Sequence, residues 1–169
     1  FQKTIEEGTV PGDWKMAKIA PIHKKGSKKN ACNYRPVSLT SQVSKIIERI
    51  IRKHLTNHLD LHQLITPFQH GFVQKKSCQT NLLVALEDWT RALDEGHDLD
   101  IIYLDFQKAF DTVPHQRLLK KLSAYGVQGK VLRWIESFLV GRTQQVVVGN
   151  GTSRWGGVTS GVPQGSVLG

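Results

Sequence analysis

Cysteine is nearly absent: Cys32 and Cys78 are the two in 169 residues. They form no CxxC pair and have no Cys/His spacing of a zinc module, which argues against a disulfide framework and against a structural zinc site. His54, His58, His62 and His70 include one helical i,i+4 pair, but no carboxylate or cysteine joins them at a ligand spacing, so no histidine metal site is expected. No apolar run approaches the roughly 20 residues that span a bilayer, and residues 1–20 carry no signal-peptide pattern. The chain is therefore expected to be intracellular, nuclear or cytoplasmic, with no membrane partner. Internal repeats and low-complexity tracts are also missing, which excludes solenoids and flexible linkers. The most telling absence is local. Between Lys15 and Arg35 there is no acidic residue at all.

What that stretch does contain is Lys15, Lys18, Lys24, Lys25, Lys28, Lys29 and Arg35, the densest part of a chain with formal net charge +9. Such a footprint suits phosphates, so a nucleic acid or nucleotide is the expected partner. Lys18 to His23 reads as a strand, Lys25 to Asn30 as a turn and Asn33 to Leu39 as the return strand. With 39% hydrophobic residues, the chain holds one domain's worth of material, enough to bury about 70% of its unfolded surface if it folds alone.

The second feature is a carboxylate at the end of an apolar run. Leu99, Ile101, Ile102, Tyr103 and Leu104 read as a buried strand ending at Asp105. A turn of Gln107, Lys108 and Ala109 follows, then Phe110, then Pro114 at the first position of a helix with Leu118, Leu119 and Leu122. On these residues alone, a turn or helix cap accounts for Asp105 or Asp111 better than a metal site does. Elsewhere, Val43, Ile46, Ile47, Ile50, Ile51 and Leu55 define the inner face of an amphipathic helix. Its outer face would carry Glu48 and Arg52 at pairing distance. A second helix is expected from about Gln79 to Glu95, burying Leu82, Leu83, Leu86 and Leu93, with Gly96 as its stop. Residues 131–139 give a third, ended by Gly141. Gln144 to Val148 then alternates before Gly149-Asn150-Gly151, a hairpin turn with a return strand through Trp155. The mixed order of helices and strands indicates an α+β class.

Taken in order, the blocks are specific. Trp14-Lys15 with Pro21-Ile22-His23-Lys24-Lys25-Gly26-Ser27, Asn33 to Leu39, Asp105 to Val113, and Gly161-Val162-Pro163-Gln164-Gly165-Ser166 together resemble a non-LTR (LINE-type) retrotransposon reverse transcriptase. The resemblance covers essentially the whole chain. Gln69-His70-Gly71-Phe72 with Ser77-Cys78 is similar to a segment that such enzymes share with group II intron reverse transcriptases and that retroviral enzymes lack.

The resemblance implies a right-hand polymerase, with fingers over residues 1–98 and an incomplete palm over 99–169. It implies RNA-directed DNA synthesis: an RNA template, a DNA primer, deoxynucleoside triphosphates, and two Mg²⁺ ions as cofactors. Asp105 would be the catalytic, metal-bridging carboxylate, and the carbonyl of Phe106 a further magnesium ligand. Lys24 and Arg35 would touch the triphosphate, Arg35 with a bidentate fork. Backbone amides around Lys108 and Ala109 would meet the same phosphates. Phe110 would lie beneath the sugar and exclude a 2′-hydroxyl. Gln164 would rest against the nucleotide or templating pair, and Asp111 would be a structural partner only. The oligomeric state is not implied.

The family pattern also includes an aromatic-x-Asp-Asp pair after the Pro-Gln-Gly block, a thumb and an endonuclease. None is in this sequence, which begins without methionine; both ends are expected to be cut. A non-catalytic fragment that binds RNA or DNA is therefore the alternative. An RNA-dependent RNA polymerase is disfavoured by Phe110 and the Pro-Gln-Gly turn. One aspartate cannot hold two magnesium ions about 4 Å apart, so these 169 residues alone are expected to extend no primer. Magnesium-dependent product that is lost in Asp105→Asn would contradict this.

Overall fold

The computed structural model describes the whole chain, Phe1–Gly169. Its contacts form two compact units, Phe1–His58 with Gln107–Gly169, and Leu59–Phe106. The class is mixed α+β, as the order of elements implied.

The first unit is built on the basic hairpin. Strand β1 (Met16–His23) pairs antiparallel with β2 (Tyr34–Leu39), with Lys18 opposite Leu39 and Ile22 opposite Arg35. Pro21 and Pro36 oppose each other in this register. Proline cannot donate to a ladder, and these two sit where little is lost, on an edge strand and beyond the last β1 residue paired to β3, Ile19. The connecting turn is closed by Lys24 N–H donating to the Asn33 carbonyl (2.8 Å) and by Asn33 Nδ2 donating to the Ser27 carbonyl (2.9 Å). On its other side β1 runs parallel to β3 (Thr143–Val148). The expected return strand is present in two short pieces, β4 (Gly151–Thr152) and β5 (Gly156–Gly157), both paired to β3. Between them Ser153 takes over the ladder, its N–H donating to Val146 O and its Oγ accepting from Val146 N–H.

Helices α1 (Gln2–Glu7), α2 (Gln42–Leu61), α4 (His115–Ala124) and α5 (Gly129–Leu139) accompany this sheet. Their core joins Val10, Trp14, Ile47, Ile51, Leu119 and Trp134 with Ile135, Phe138 and Leu139. Trp134 and Phe138 stack with ring centroids 5.6 Å apart. Pro114 stands just before α4 rather than within its first turn.

Helix α2 corrects the sequence reading in one respect. Ile47 and Ile51 are buried, but Val43, Ile46 and Ile50 are each about half exposed. The inner face is turned instead toward Ser44 and Glu48, both fully buried. Glu48 is not on the outer face with Arg52. Its Oε1 accepts from Ser44 Oγ (2.7 Å), and its Oε2 accepts from the backbone N–H of Val167 (2.7 Å) and Leu168 (3.4 Å). Arg142, just past the end of α5, is also buried; it donates from Nη1 to the Phe138 carbonyl (3.1 Å) and lies over that ring. Burial lowers the Arg142 pKa from its ordinary value, and the charge of Glu48 acts against that shift.

In the second unit α3 (Cys78–Asp94) starts at Ser77 with a capping box, in which Ser77 and Thr80 exchange side-chain and backbone hydrogen bonds. Gly96 lies just beyond the helix with φ 78°. The helix is where the sequence placed it, but none of its residues is buried, and Leu82, Leu83, Leu86 and Leu93 face solvent. Residues 99–104 form no strand. Ile102, Tyr103 and Leu104 are 81%, 81% and 91% exposed. A strand exists only by sharing its N–H and C=O groups with a neighbour. No strand of this chain pairs with that segment.

Glu48→Ala removes a fully buried carboxylate and leaves two backbone amides and the Ser44 hydroxyl short of an acceptor. It is expected to cost about 3 kcal/mol in chemical denaturation of the chain. Glu48→Gln keeps an acceptor oxygen for the Val167 amide and should cost less.

Candidate nucleotide and nucleic-acid site

Residues alternate sides along a strand. One face of the sheet accordingly presents Ala17, Ile19 and Pro21 from β1, Tyr34, Pro36 and Ser38 from β2, and Gln144, Val146 and Val148 from β3, and these residues line two cavities of the first unit. The cavities measure about 360 and 540 Å³ and share Ile19, Pro36, Val146 and Asp111. Lys28, Lys29, Tyr34 and Lys108 line the larger one. Arg142, Ser160 and Gln164 line the smaller. Both lie in the size range of small-molecule sites.

Two chain segments that are distant in sequence wall this space together. The turn at Lys108 is set by a positive φ of 51°, and the Lys108 carbonyl accepts from the N–H groups of Asp111 (2.9 Å) and Thr112 (3.1 Å). The loop of residues 160–168 is bonded to it repeatedly. Gly161 N–H donates to Val113 O (2.9 Å), Val162 N–H to Phe110 O (2.8 Å), and Ser160 Oγ to Asp111 O (3.0 Å). Buried His115 reaches Gly161 O through Nε2 (2.7 Å), which makes that nitrogen the donor. The same loop is tied to β2 by Ser38 N–H donating to Gln164 O (2.6 Å), and to α2 through Glu48. Two glycines make this fit possible. A Cβ on Gly161 would stand 2.7 Å from the carbonyl oxygens of Phe110 and Asp111, and one on Gly165 would stand 2.6 Å from Ser38 O. Both have positive φ, 83° and 112°.

The expected site residues fall into three groups. Lys108 and Gln164 line the cavities, whereas Ala109 and Phe110 lie in the joined turn but line neither; Phe110 is partly exposed, and Gln164 is half-buried, with Nε2 donating to Asp111 Oδ1 at 3.2 Å. Lys24 is exposed at the entry to the hairpin turn. Arg35 follows the alternation onto the other face of β2, away from Pro36 and Ser38, and is exposed there. Asp105 and Phe106 belong to the second unit, both exposed. No three His, Cys, Asp or Glu side chains of the chain converge as a metal site. Two magnesium ions require bridging carboxylates and several hard oxygen ligands, so the residues present do not fit a two-magnesium centre by themselves.

Sequence reasoning did not single out Glu48, His115 or Arg142. The last had one readable signal, a cation directly after a helix-stopping glycine, where it meets the negative end of the helix. Lys15, whose ammonium donates to Val140 O (3.2 Å), has its pKa lowered first by partial burial and then by the Arg142 charge.

The family model for reverse transcriptase (RNA-dependent DNA polymerase) matches residues 22–169, and the chain belongs to this family. Among its relatives is a probable RNA-directed DNA polymerase from transposon BS of Drosophila melanogaster, 34% identical over 94% of this chain and 18% of that protein. The RNA-directed DNA polymerase from mobile element jockey of the same fly is also 34% identical, over 100% of this chain and 18% of its own length. The Pol polyprotein of the type-1 retrotransposable element R2 of Popillia japonica is 28% identical over 99% of this chain and 23% of its own. These relatives are non-LTR retrotransposon enzymes, as the motif order implied. The chain spans about a fifth of their length. No helix is long and apolar enough to cross a membrane.

Gly161→Ala is expected to cost more than about 1 kcal/mol, because it combines a positive φ with a backbone clash. Urea titration would measure the loss. Faster hydrogen exchange at Val162, whose amide bonds Phe110 O, would locate it.

Proposed function

We propose that the chain supplies the fingers (1–98) and part of the palm (99–169) of a right-hand polymerase that copies an RNA template into DNA. The observation that carries this reading is the joining of the Lys108–Asp111 turn to the Gln164 loop, with Asp111 lining both the cavity walled by that loop and the neighbouring one lined by three lysines. A nucleoside triphosphate needs such a place. Lysine ammonium groups and turn amides meet its phosphates, and apolar strand residues receive the flat parts of the molecule.

In this reading Lys24, Lys108 and the amides near Ala109 hold the triphosphate. Phe110 is the steric gate against a 2′-hydroxyl, and Gln164 orients the nucleotide or templating pair. Arg35, on the opposite face of β2 from the cavities, does not reach a nucleotide bound there and is assigned instead to phosphates of a nucleic-acid strand on that side, in place of the expected contact with the triphosphate. Asp105 and the Phe106 carbonyl are the magnesium ligands this reading assigns within the chain. They account for part of the oxygen ligands that two ions require. Magnesium, when bound, would neutralise phosphate charge and favour ionisation of the primer hydroxyl. The partners are accordingly an RNA template, a DNA primer and deoxynucleoside triphosphates. A second reading, nucleic-acid binding without catalysis, is favoured by that incomplete ligand set.

Both readings require a phosphate-binding surface, and salt tests it. Affinity for single-stranded RNA, followed by fluorescence anisotropy between 50 and 200 mM salt, is expected to fall with a log–log slope of about −0.7 per phosphate neutralised. Alanine at Lys24, Lys25, Lys28 and Lys29 should flatten that slope by roughly 0.7 for each lysine in contact. Affinity independent of salt would overturn the assignment. Primer extension by a longer reverse transcriptase that carries these residues, with Asp105 and with Asp105→Asn, separates the two readings.

A further inference from the structure

We infer that Asp111 is a positioning residue for nucleotide binding, one that fixes which end of the Gln164 amide faces the ligand. This rests on the reading above that Gln164 meets the nucleotide, and it assigns Asp111 more than a structural part.

The two side chains come from positions 53 residues apart and meet through Gln164 Nε2 and Asp111 Oδ1 at 3.2 Å. An ionised carboxylate only accepts, so the amino end of the amide must be the end that turns toward it. That settles the orientation of a group whose oxygen and nitrogen are otherwise almost interchangeable in shape. Gln164 Oε1 is then directed away from Asp111, as an acceptor for a donor group on the ligand.

Neither partner can drift. The Asp111 backbone is held from both sides, its N–H donating to Lys108 O and its carbonyl accepting from Ser160 Oγ. Gln164 is held by Ser38 N–H on its carbonyl, and three residues on by Val167 N–H on the buried Glu48. Asp111 also lines both cavities, beside Lys28, Lys29 and Lys108 in one and beside Gln164 and Arg142 in the other. It therefore stands between the cations suited to phosphate and the amide suited to a neutral polar group. Without it the amide can present either end. A ligand donor would then meet a donor half of the time, and a site built on one hydrogen bond loses discrimination when that bond is left unmade.

The test uses the chain with deoxythymidine triphosphate and with single-stranded RNA as separate probes, in wild type, Asp111→Ala, Gln164→Ala and the double variant. Asp111→Ala is expected to weaken triphosphate binding about twofold, the cost of an amide free to present either end, against about tenfold for Gln164→Ala, which loses the hydrogen bond itself, while RNA affinity is unchanged in both. The double variant should be no weaker than Gln164→Ala, because the aspartate acts through the glutamine. Asp111→Asn, which keeps an acceptor oxygen, should recover part of the loss. By NMR the Gln164 side-chain amide protons should exchange slowly in wild type and as fast as those of exposed Gln144 in Asp111→Ala, with the Gly161 backbone amide still protected.

Additive losses, or unchanged triphosphate affinity in Asp111→Ala when Gln164→Ala has lost it, would overturn the inference. If Gln164→Ala leaves triphosphate affinity intact, the role given to Gln164 fails instead. The amide exchange then decides alone whether Asp111 positions it, and equal rates in wild type and Asp111→Ala would say that it does not.

Discussion

A carboxylate with no exposure to water governs the architecture of the first unit. Each oxygen of Glu48 has a donor, Ser44 on one side and the Val167 and Leu168 amides on the other, which is what makes its burial tolerable, and its charge acts on the buried Arg142 guanidinium. The bonds to Val167 and Leu168 hold the loop that carries Gln164. Arg142 in turn lies on Phe138, which stacks on Trp134 at the centre of the core. What the buried carboxylate adds is direction: amides of a glycine-containing loop are drawn to one point on α2, a placement that apolar contacts do not specify.

The site is consequently an assembly of backbone more than of side chains. The Lys108 turn, the 160–168 loop and strand β2 are joined mainly by N–H and C=O groups, with glycine where two backbones pass too closely for a Cβ. Such an arrangement fixes the positions from which Phe110, Asp111 and Gln164 project. Charge is distributed differently. The hairpin puts Lys28 and Lys29 toward the cavity side of the sheet and Arg35 on the other, so the basic segment offers cations on two faces. A single strand of nucleic acid and a nucleotide can each be met by a different part of it.

Local patterns in the sequence were legible wherever local chemistry decides. The β1–β2 hairpin, the 107–109 turn, α2, α3, α5 and the Gly149-Asn150-Gly151 turn follow from periodicity, capping and glycine placement. Periodicity failed at Glu48, since it sorts residues by hydrophobicity, and the donors that make a buried carboxylate tolerable lie 119 and 120 residues away. It failed again at 99–104, where an apolar β-branched run has the composition of a strand but no ladder neighbour in this chain. The Asp111–Gln164 contact is invisible for the same reason. Each residue type suits its own turn, and only the fold brings them together.

That contrast bears on how binding and catalysis divide within these residues. Asp111 and Gln164 stand on segments bonded to one another and to β2 and α2, and Lys28 and Lys29 on an exposed turn that Asn33 closes. Asp105 follows six residues with no strand partner, in a unit whose one long helix buries none of its residues. Catalytic groups must be held to a fraction of an ångström by the elements beneath them, whereas phosphate attraction tolerates ångströms. Under the proposed reading, the contacts within this chain bear on phosphate attraction more than on chemistry. Chemistry at Asp105 would, under the same proposed reading, further require that the apolar run before it be drawn into a sheet, because only a ladder on residues 99–104 would fix the carboxylate at their end.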